Sequence, residues 1–153
     1  MPLYLVRHGE AYSETVDPDR PLTEAGRATV AGMAQRAAAF NVPVSQVCHS
    51  GKTRARQTAE IFSAYLKPSA GLTEIKAVQP YDDVTIIVPE LDPALNVMLV
   101  GHLPFMERLV SYLITGSRDI TIIQFQAGGI VCLDQDEKTR PWHIKWALMP
   151  KMV

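Results

Sequence analysis

The sequence predicts a three-layer α/β/α domain built on a mostly parallel sheet, and three observations lead there. Short apolar, β-branched runs alternate along the chain with longer segments of helical period. The 153 residues suit one domain, residues 1–153, with a single substantial core. Apolar residues make up 47% and charged residues 20%, the balance of an ordinary globular protein rather than a disordered or fibrous one.

The first strand is Leu3 to Val6, an apolar run that stops abruptly at Arg7-His8-Gly9-Glu10. A polar loop from Tyr12 to Arg20 follows, closed by Pro21-Leu22-Thr23, and Thr23 is the expected N-cap of a helix reaching about Phe40. Val30, Met33, Ala34, Ala37 and Ala38 have the three-four spacing of a core-facing stripe. Gly26 stands in the first turn, where a close backbone approach would need no side chain.

Val44 to Cys48 reads as the second strand, and Ser50-Gly51 as the turn into a helix from about Lys52 to Leu66. Ala55, Thr58, Ala59, Phe62, Tyr65 and Leu66 share one face of it; Arg56, Glu60 and Ser63 share the other. Arg56 therefore faces solvent beside Glu60. Arg54, by contrast, opens the helix next to the strand end, where free N–H groups attract anions.

Between Lys67 and Pro93, the prolines Pro68, Pro80, Pro89 and Pro93 interrupt every candidate element. Asp82-Asp83 is expected to cap a short helix toward Glu90, ended or kinked by Pro89. Asn96 to Val100 is the third strand, followed by Gly101-His102 and a helix opened by Pro104. Phe105, Leu109, Val110, Leu113 and Ile114 form its buried stripe and Gly116 its stop. Ile120 to Phe125, Ile130 to Leu133 and Trp142 to Leu148 read as three further strands, the last two joined by a polar turn from Asp134 to Arg140.

Composition also excludes functions. A net charge of -1 argues against a nucleic-acid surface. No apolar run reaches the roughly 18 residues that span a bilayer, and the N-terminus runs straight into a strand, so no membrane insertion or export is expected and the cytoplasm is the expected compartment. Cys48 and Cys132 sit in apolar runs where reduced, packed thiols are expected. His49 and His143 read as structural or exposed, and Trp142 and Trp146 as packing residues.

The chemistry follows from where the strands stop, because ligands of open parallel α/β sheets bind outside the carboxyl ends of the strands. The first strand ends at Arg7-His8, the second leads to Arg54 and the third ends at His102, so two arginines and two histidines converge on one rim. Guanidinium forks bind phosphate oxygens bidentately, and two of them neutralise most of a dianion. His8, with an ordinary pKa of about 6.5, is held neutral beside these cations and can attack phosphorus, giving a phosphohistidine that water hydrolyses. The arginines and His102 stabilise the equatorial oxygens, and no metal or cofactor is required.

Three motifs in order at strand ends, Arg7-His8-Gly9-Glu10, Ser50-x-x-x-Arg54-Ala55-x-Gln57-Thr58 and Gly101-His102, resemble the histidine phosphatase superfamily, also called phosphoglycerate mutase-like. Within it the chain is similar to SixA-type phosphohistidine phosphatases, through Ala11, Pro21-Leu22-Thr23-x-x-Gly26, Pro80-x-Asp82-Asp83, Gly101-His102-Leu103-Pro104 and the C-terminal strands around Gly128-Gly129 and Trp142 to Trp146. The resemblance covers nearly the whole chain. It implies a phosphoglycerate mutase-like fold, His8 as nucleophile, Arg7, Arg54 and His102 as the phosphate pocket, and Gly9, Glu10 and Ser50 as further substrate-binding candidates. The implied partner is a protein bearing phosphohistidine on a phosphotransfer domain, in signal transduction.

Two features depart from the family pattern. Gly51-Lys52-Thr53 stands where the family more often has proline and apolar residues, and the stretch from Leu66 to Asn96 is too short for the lid that supplies a general acid in larger members. Glu10, Asp82 and Asp83 are the candidate acids by position. A small-molecule phosphatase or mutase with the same chemistry remains an alternative, as does a non-catalytic phosphoprotein-binding module, although the latter has no need of His8.

Overall fold

Strand β1 (Leu3–Arg7) buries Leu3, Tyr4, Leu5 and Val6 without alternation, because it is bonded to a strand on each side and covered on both faces. The structure is a computed structural model that describes residues 2–92, 94–136 and 141–152; Pro93 and residues 137–140 of the expected polar turn lie outside them. On one side β1 pairs in parallel with β4 (Val97–Gly101), β4 with β2 (Gln46–His49), and β2 with β3 (Leu72–Glu74). On the other it pairs antiparallel with β5 (Ile130–Gln135), and β5 with β6 (Trp142–Leu148), giving a six-stranded sheet in the order β3-β2-β4-β1-β5-β6. Among the described strands β5 alone runs against the rest. The mostly parallel sheet read from the sequence is present.

Successive β1 side chains point to opposite faces, and each face has its own core. Tyr4 and Val6 pack with helices α1 (Glu24–Ala39) and α2 (Thr53–Leu66), through Val30, Met33, Ala59 and Phe62. Leu3 and Leu5 pack with α3 (Val84–Ile87) and α4 (Phe105–Thr115), through Val84, Phe105, Leu109 and Val110. These are the three expected layers.

Helix α1 starts as expected: Thr23 caps it by accepting from the Gly26 N–H at 2.9 Å, and Gly116 in the left-handed region stops α4. A Cβ on Gly26 would run into the Glu10 carbonyl, so the first turn of α1 sits directly against the loop that follows His8.

Several expectations need correction, and one element is added. Ile120 to Phe125 is not a strand, and the backbone donors at its two ends are taken by side chains of α4: Ile120 N–H donates to Ser111 Oγ (3.1 Å) and Phe125 N–H to Glu107 Oε2 (3.0 Å). Strand β3 is an addition; its three residues are all exposed, so no burial period announced it. Tyr65 is exposed rather than core, and accepts a bond from Gln35 Nε2 at 3.1 Å. Ser63, placed on the polar face of α2, is half-buried, and so are Ala38, Leu113 and Ile114 at the edges of their stripes.

Candidate active site

The β1–β4 register sets the site. Arg7 lies opposite Gly101, and His8 N–H donates to Gly101 O at 3.0 Å, so the backbone is still bonded to its neighbour where the His8 and His102 side chains leave the core. The two rings lie 5.2 Å apart, centroid to centroid. His8 Nδ1 is 2.7 Å from the Gly9 carbonyl. A carbonyl can only accept, so Nδ1 carries the proton and Nε2 keeps its lone pair.

The loop after His8 is held in place from α2. Gly9 N–H donates to Thr58 Oγ1 (3.0 Å), Thr58 Oγ1 donates to Arg54 O (2.8 Å), and Leu22 N–H donates to Gln57 Oε1 (2.8 Å). Gln57, which the sequence presents only within a motif, and Thr58, which it also places on the inner face of the helix, thus tie the His8 loop to the turn that carries Arg54. A Cβ on Gly9 would meet Val30 Cγ2 at 2.6 Å, so the loop lies directly on α1.

Arg7 donates through one terminal nitrogen to Phe125 O at 2.9 Å. Its Nε, the Nε of Arg54, His102 Nδ1 and Gln79 Oε1 are buried without a hydrogen-bond partner; among the described residues only Ser63 Oγ and Asn96 Oδ1, elsewhere in the fold, share that condition. Each such atom costs about 1–3 kcal/mol of stability. Two guanidinium groups with unpaired Nε donors thus lie close enough to His8 for their charges to be felt there, donors of the kind an anion's oxygens accept from. Both arginines are pulled below their ordinary pKa, first by burial; Glu107 opposes this at Arg7, while the Arg20 charge adds to it at Arg54.

Burial also pushes His8 down to about 4: the Gly9 bond opposes the shift, and the Arg54, Arg7 and Arg20 charges add to it. His102 falls to about 3, again first by burial, then through His8, Arg54, Lys52 and Arg20. Both rings are therefore neutral in the folded protein far below the usual histidine range. The unfolded chain takes up those protons near pH 6.5, so between about pH 6.5 and pH 4 it binds more protons than the native state, and stability falls as the pH drops through that window. An NMR titration from pH 8 to 5 is expected to leave the His8 and His102 rings unmoved. Midpoints near 6.5 would contradict the burial described here.

The other expected site residues are placed differently. The Gly9 N–H is taken by Thr58, and Ser50, only 4% exposed, has its hydroxyl 2.6 Å from His102 Nε2, so both support the pocket rather than line it. The Glu10 carboxylate accepts from the Thr23 hydroxyl at 2.9 Å. Asp82 Oδ2 accepts from Gln79 N–H at 2.9 Å, and Asp83 caps α3 by accepting from Thr85, whose bonds hold its carboxyl below the usual range. His49 is structural, its Nδ1 accepting from Gly51 N–H at 3.0 Å.

Arg20 was missed as a pocket residue. Its Nε donates to Tyr12 O at 3.0 Å, its φ of 49° is unusual for a non-glycine, and its charge is felt by His8, His102 and Arg54. Nothing periodic in the polar loop shows that its end folds back over the strand rim.

A model of the histidine phosphatase superfamily (branch 1) matches residues 3–80 of the chain. The chain belongs to the histidine phosphatase superfamily. Among solved structures, the protein histidine phosphatase SixA in complex with tungstate is similar at 26% identity and a TM-score of 0.85, with 98% of this chain and 97% of that one covered. The SixA protein of Agrobacterium tumefaciens is similar at 27% identity and a TM-score of 0.79, with 97% of each chain covered. A mycobacterial glucosyl-3-phosphoglycerate phosphatase, at 14% identity and a TM-score of 0.71 over 95% of this chain and 97% of that one, shares the fold alone. Comparison with curated proteins finds no match. Superfamily membership and the SixA structures make this protein a phosphatase, a hydrolase on the phosphoglycerate mutase-like fold. Among the described residues no helix is long and apolar enough to cross a membrane.

Proposed function

We propose that this phosphatase hydrolyses phosphohistidine on a protein, by way of a covalent phosphohistidine at His8 and without a metal ion. One observation carries the reading: the His8 Nδ1 proton is held by the Gly9 carbonyl at 2.7 Å, which leaves a neutral Nε2 lone pair among guanidiniums whose Nε groups are unpaired. The tetrahedral oxyanion in the SixA complex supports it, since tungstate has the shape of phosphate.

Arg7 and Arg54 bind the phosphoryl oxygens and offset their charge before any bond changes. Nε2 attacks phosphorus, the bond to the leaving group breaks, and its electron pair goes to the departing atom. The His8 ring then carries a positive charge, which the Gly9 carbonyl stabilises through the retained Nδ1 proton. Water attacks the phosphoryl group in the second step and the ring leaves neutral.

The substrate class rests on two further observations. Glu10, Asp82 and Asp83, the three acids expected by position, are each engaged by a hydroxyl or backbone N–H, so none of the three stands free to protonate a poor leaving group. A departing imidazole asks less of such an acid than an alkoxide does. Tyr12, 39% exposed, and Tyr81, 79% exposed, stand on the loops that carry Arg20 and Gln79, and exposed tyrosines on such loops suit contact with a protein surface.

The test offers wild-type protein a phosphohistidine-bearing phosphotransfer domain, a phosphotyrosine peptide and a small phosphate ester. The phosphohistidine protein is expected to turn over fastest by kcat/KM. A preference for the small ester by several orders of magnitude would overturn the substrate while leaving the chemistry.

A further inference from the structure

Gln79 Oε1 is the atom of this rim that phosphate binding does not explain. Gln79 lies in the turn between β3 and α3, fixed from both sides: its N–H donates to Asp82 Oδ2 at 2.9 Å, and its carbonyl accepts from Asp82 N–H at 3.1 Å across Pro80. The preceding Val78 is fully buried in the core beneath α3 and α4. The side chain is presented by a rigid turn.

Its orientation is set by chemistry. The side-chain amide lies 2.9 Å from the Ser50 backbone carbonyl, which can only accept, so Nε2 faces Ser50 and Oε1 is the free end. Oε1 is buried without a partner, while Ser50, the residue that holds the amide, also holds His102 Nε2 at 2.6 Å. Ser50 thus links the Gln79 amide to the His102 ring.

The unpaired Nε groups of Arg7 and Arg54 are donors and match phosphoryl oxygens. An amide oxygen only accepts, and a phosphoryl dianion has no hydrogen to give it. A species that does, whatever the leaving group, is the water required by the second half of the reaction. We propose that Gln79 orients the water that hydrolyses phosphorylated His8, an inference that rests on the covalent intermediate above. Water oxygen bonds to phosphorus, the P–Nε2 bond breaks, and its electron pair returns to Nε2, leaving neutral His8 with the Nδ1 proton it held throughout. Both water hydrogens depart with the product as dihydrogen phosphate, one of them having been held by Oε1. The amide takes no proton; it fixes the direction of the attacking lone pair.

The experiment separates the two half-reactions in quench-flow, with 4-nitrophenyl phosphate as donor, because its leaving phenolate offers Gln79 no hydrogen. Formation and decay of base-stable phosphate on His8 are followed in wild type, Gln79→Met, Gln79→Ala and Gln79→Glu. The methionine and alanine variants, either of which suffices if the other does not fold, are expected to form phosphohistidine within about twofold of the wild-type rate and to lose it about tenfold or more slowly. Gln79→Glu, which keeps an acceptor oxygen but loses the donor to Ser50, is expected to decay at least as fast as wild type. Equal slowing of both steps would show that Gln79 acts only through Ser50 and His102, and unchanged decay, or a glutamate variant as slow as methionine, would equally overturn the assignment. If wild type itself forms no His8 phosphate, the covalent mechanism fails rather than the assignment of Gln79 within it.

Discussion

Replacing His8 by alanine is expected to lower turnover of every phosphorylated substrate by on the order of 10⁴-fold or more. No other group takes over its position: the neighbouring ring, His102, has its Nε2 engaged by Ser50 and is 1% exposed. Arg7 and Arg54 remain in the variant, so phosphate or tungstate should still raise its melting temperature. That contrast separates loss of a nucleophile from collapse of the pocket. Turnover within tenfold of wild type in His8→Ala would remove the nucleophile from the mechanism.

Replacing Arg54 by methionine is expected to move activity and stability in opposite directions. Its guanidinium is half-buried, its Nε has no partner, and Arg20 repels it. Methionine keeps much of the stem packing and removes the desolvated charge, so the melting temperature should rise. Turnover should fall by about 10²–10³-fold, the usual cost of losing one donor to transition-state charge. Stabilisation by added phosphate, which grows with ligand concentration over Kd, should shrink sharply. A variant that is both less stable and nearly as active would show that Arg54 has a packing role rather than an anion-binding one.

His8, Arg54 and His102 are legible in the sequence because each stands where an apolar run meets a turn or a helix start, and in a parallel sheet those junctions share one rim. Arg20 is not legible in that way. It comes at the end of a polar loop without period, and the Ala11–Leu22 bridge, the Tyr12–Pro21 backbone bond and the Tyr12 carbonyl bring it back to the pocket. Gln79 hides in the proline-interrupted stretch for a similar reason, since its orientation depends on Asp82 and on a carbonyl 29 residues earlier in the chain.

The misread elements have physical causes too. Ile120 to Phe125 has β-type residues, but Ser111 and Glu107 side chains take the backbone donors at its two ends and Arg7 takes the Phe125 carbonyl, so the segment braces the pocket arginine instead of joining the sheet. Glu10, Asp82 and Asp83 look like acids by position. The Thr23 hydroxyl claims Glu10, and the Gln79 and Thr85 backbone N–H groups claim the two aspartates, as short polar side chains near backbone donors commonly are.

The most direct measurement is a rapid base quench of wild type and His8→Ala during turnover of a phosphohistidine protein, followed by proteolysis and mass spectrometry of the N-terminal peptide. The predicted result is a base-stable, acid-labile phosphoryl group on His8 in wild type and none in the variant. Turnover without phosphate on His8, or with the phosphoryl group on His102 instead, would contradict the mechanism.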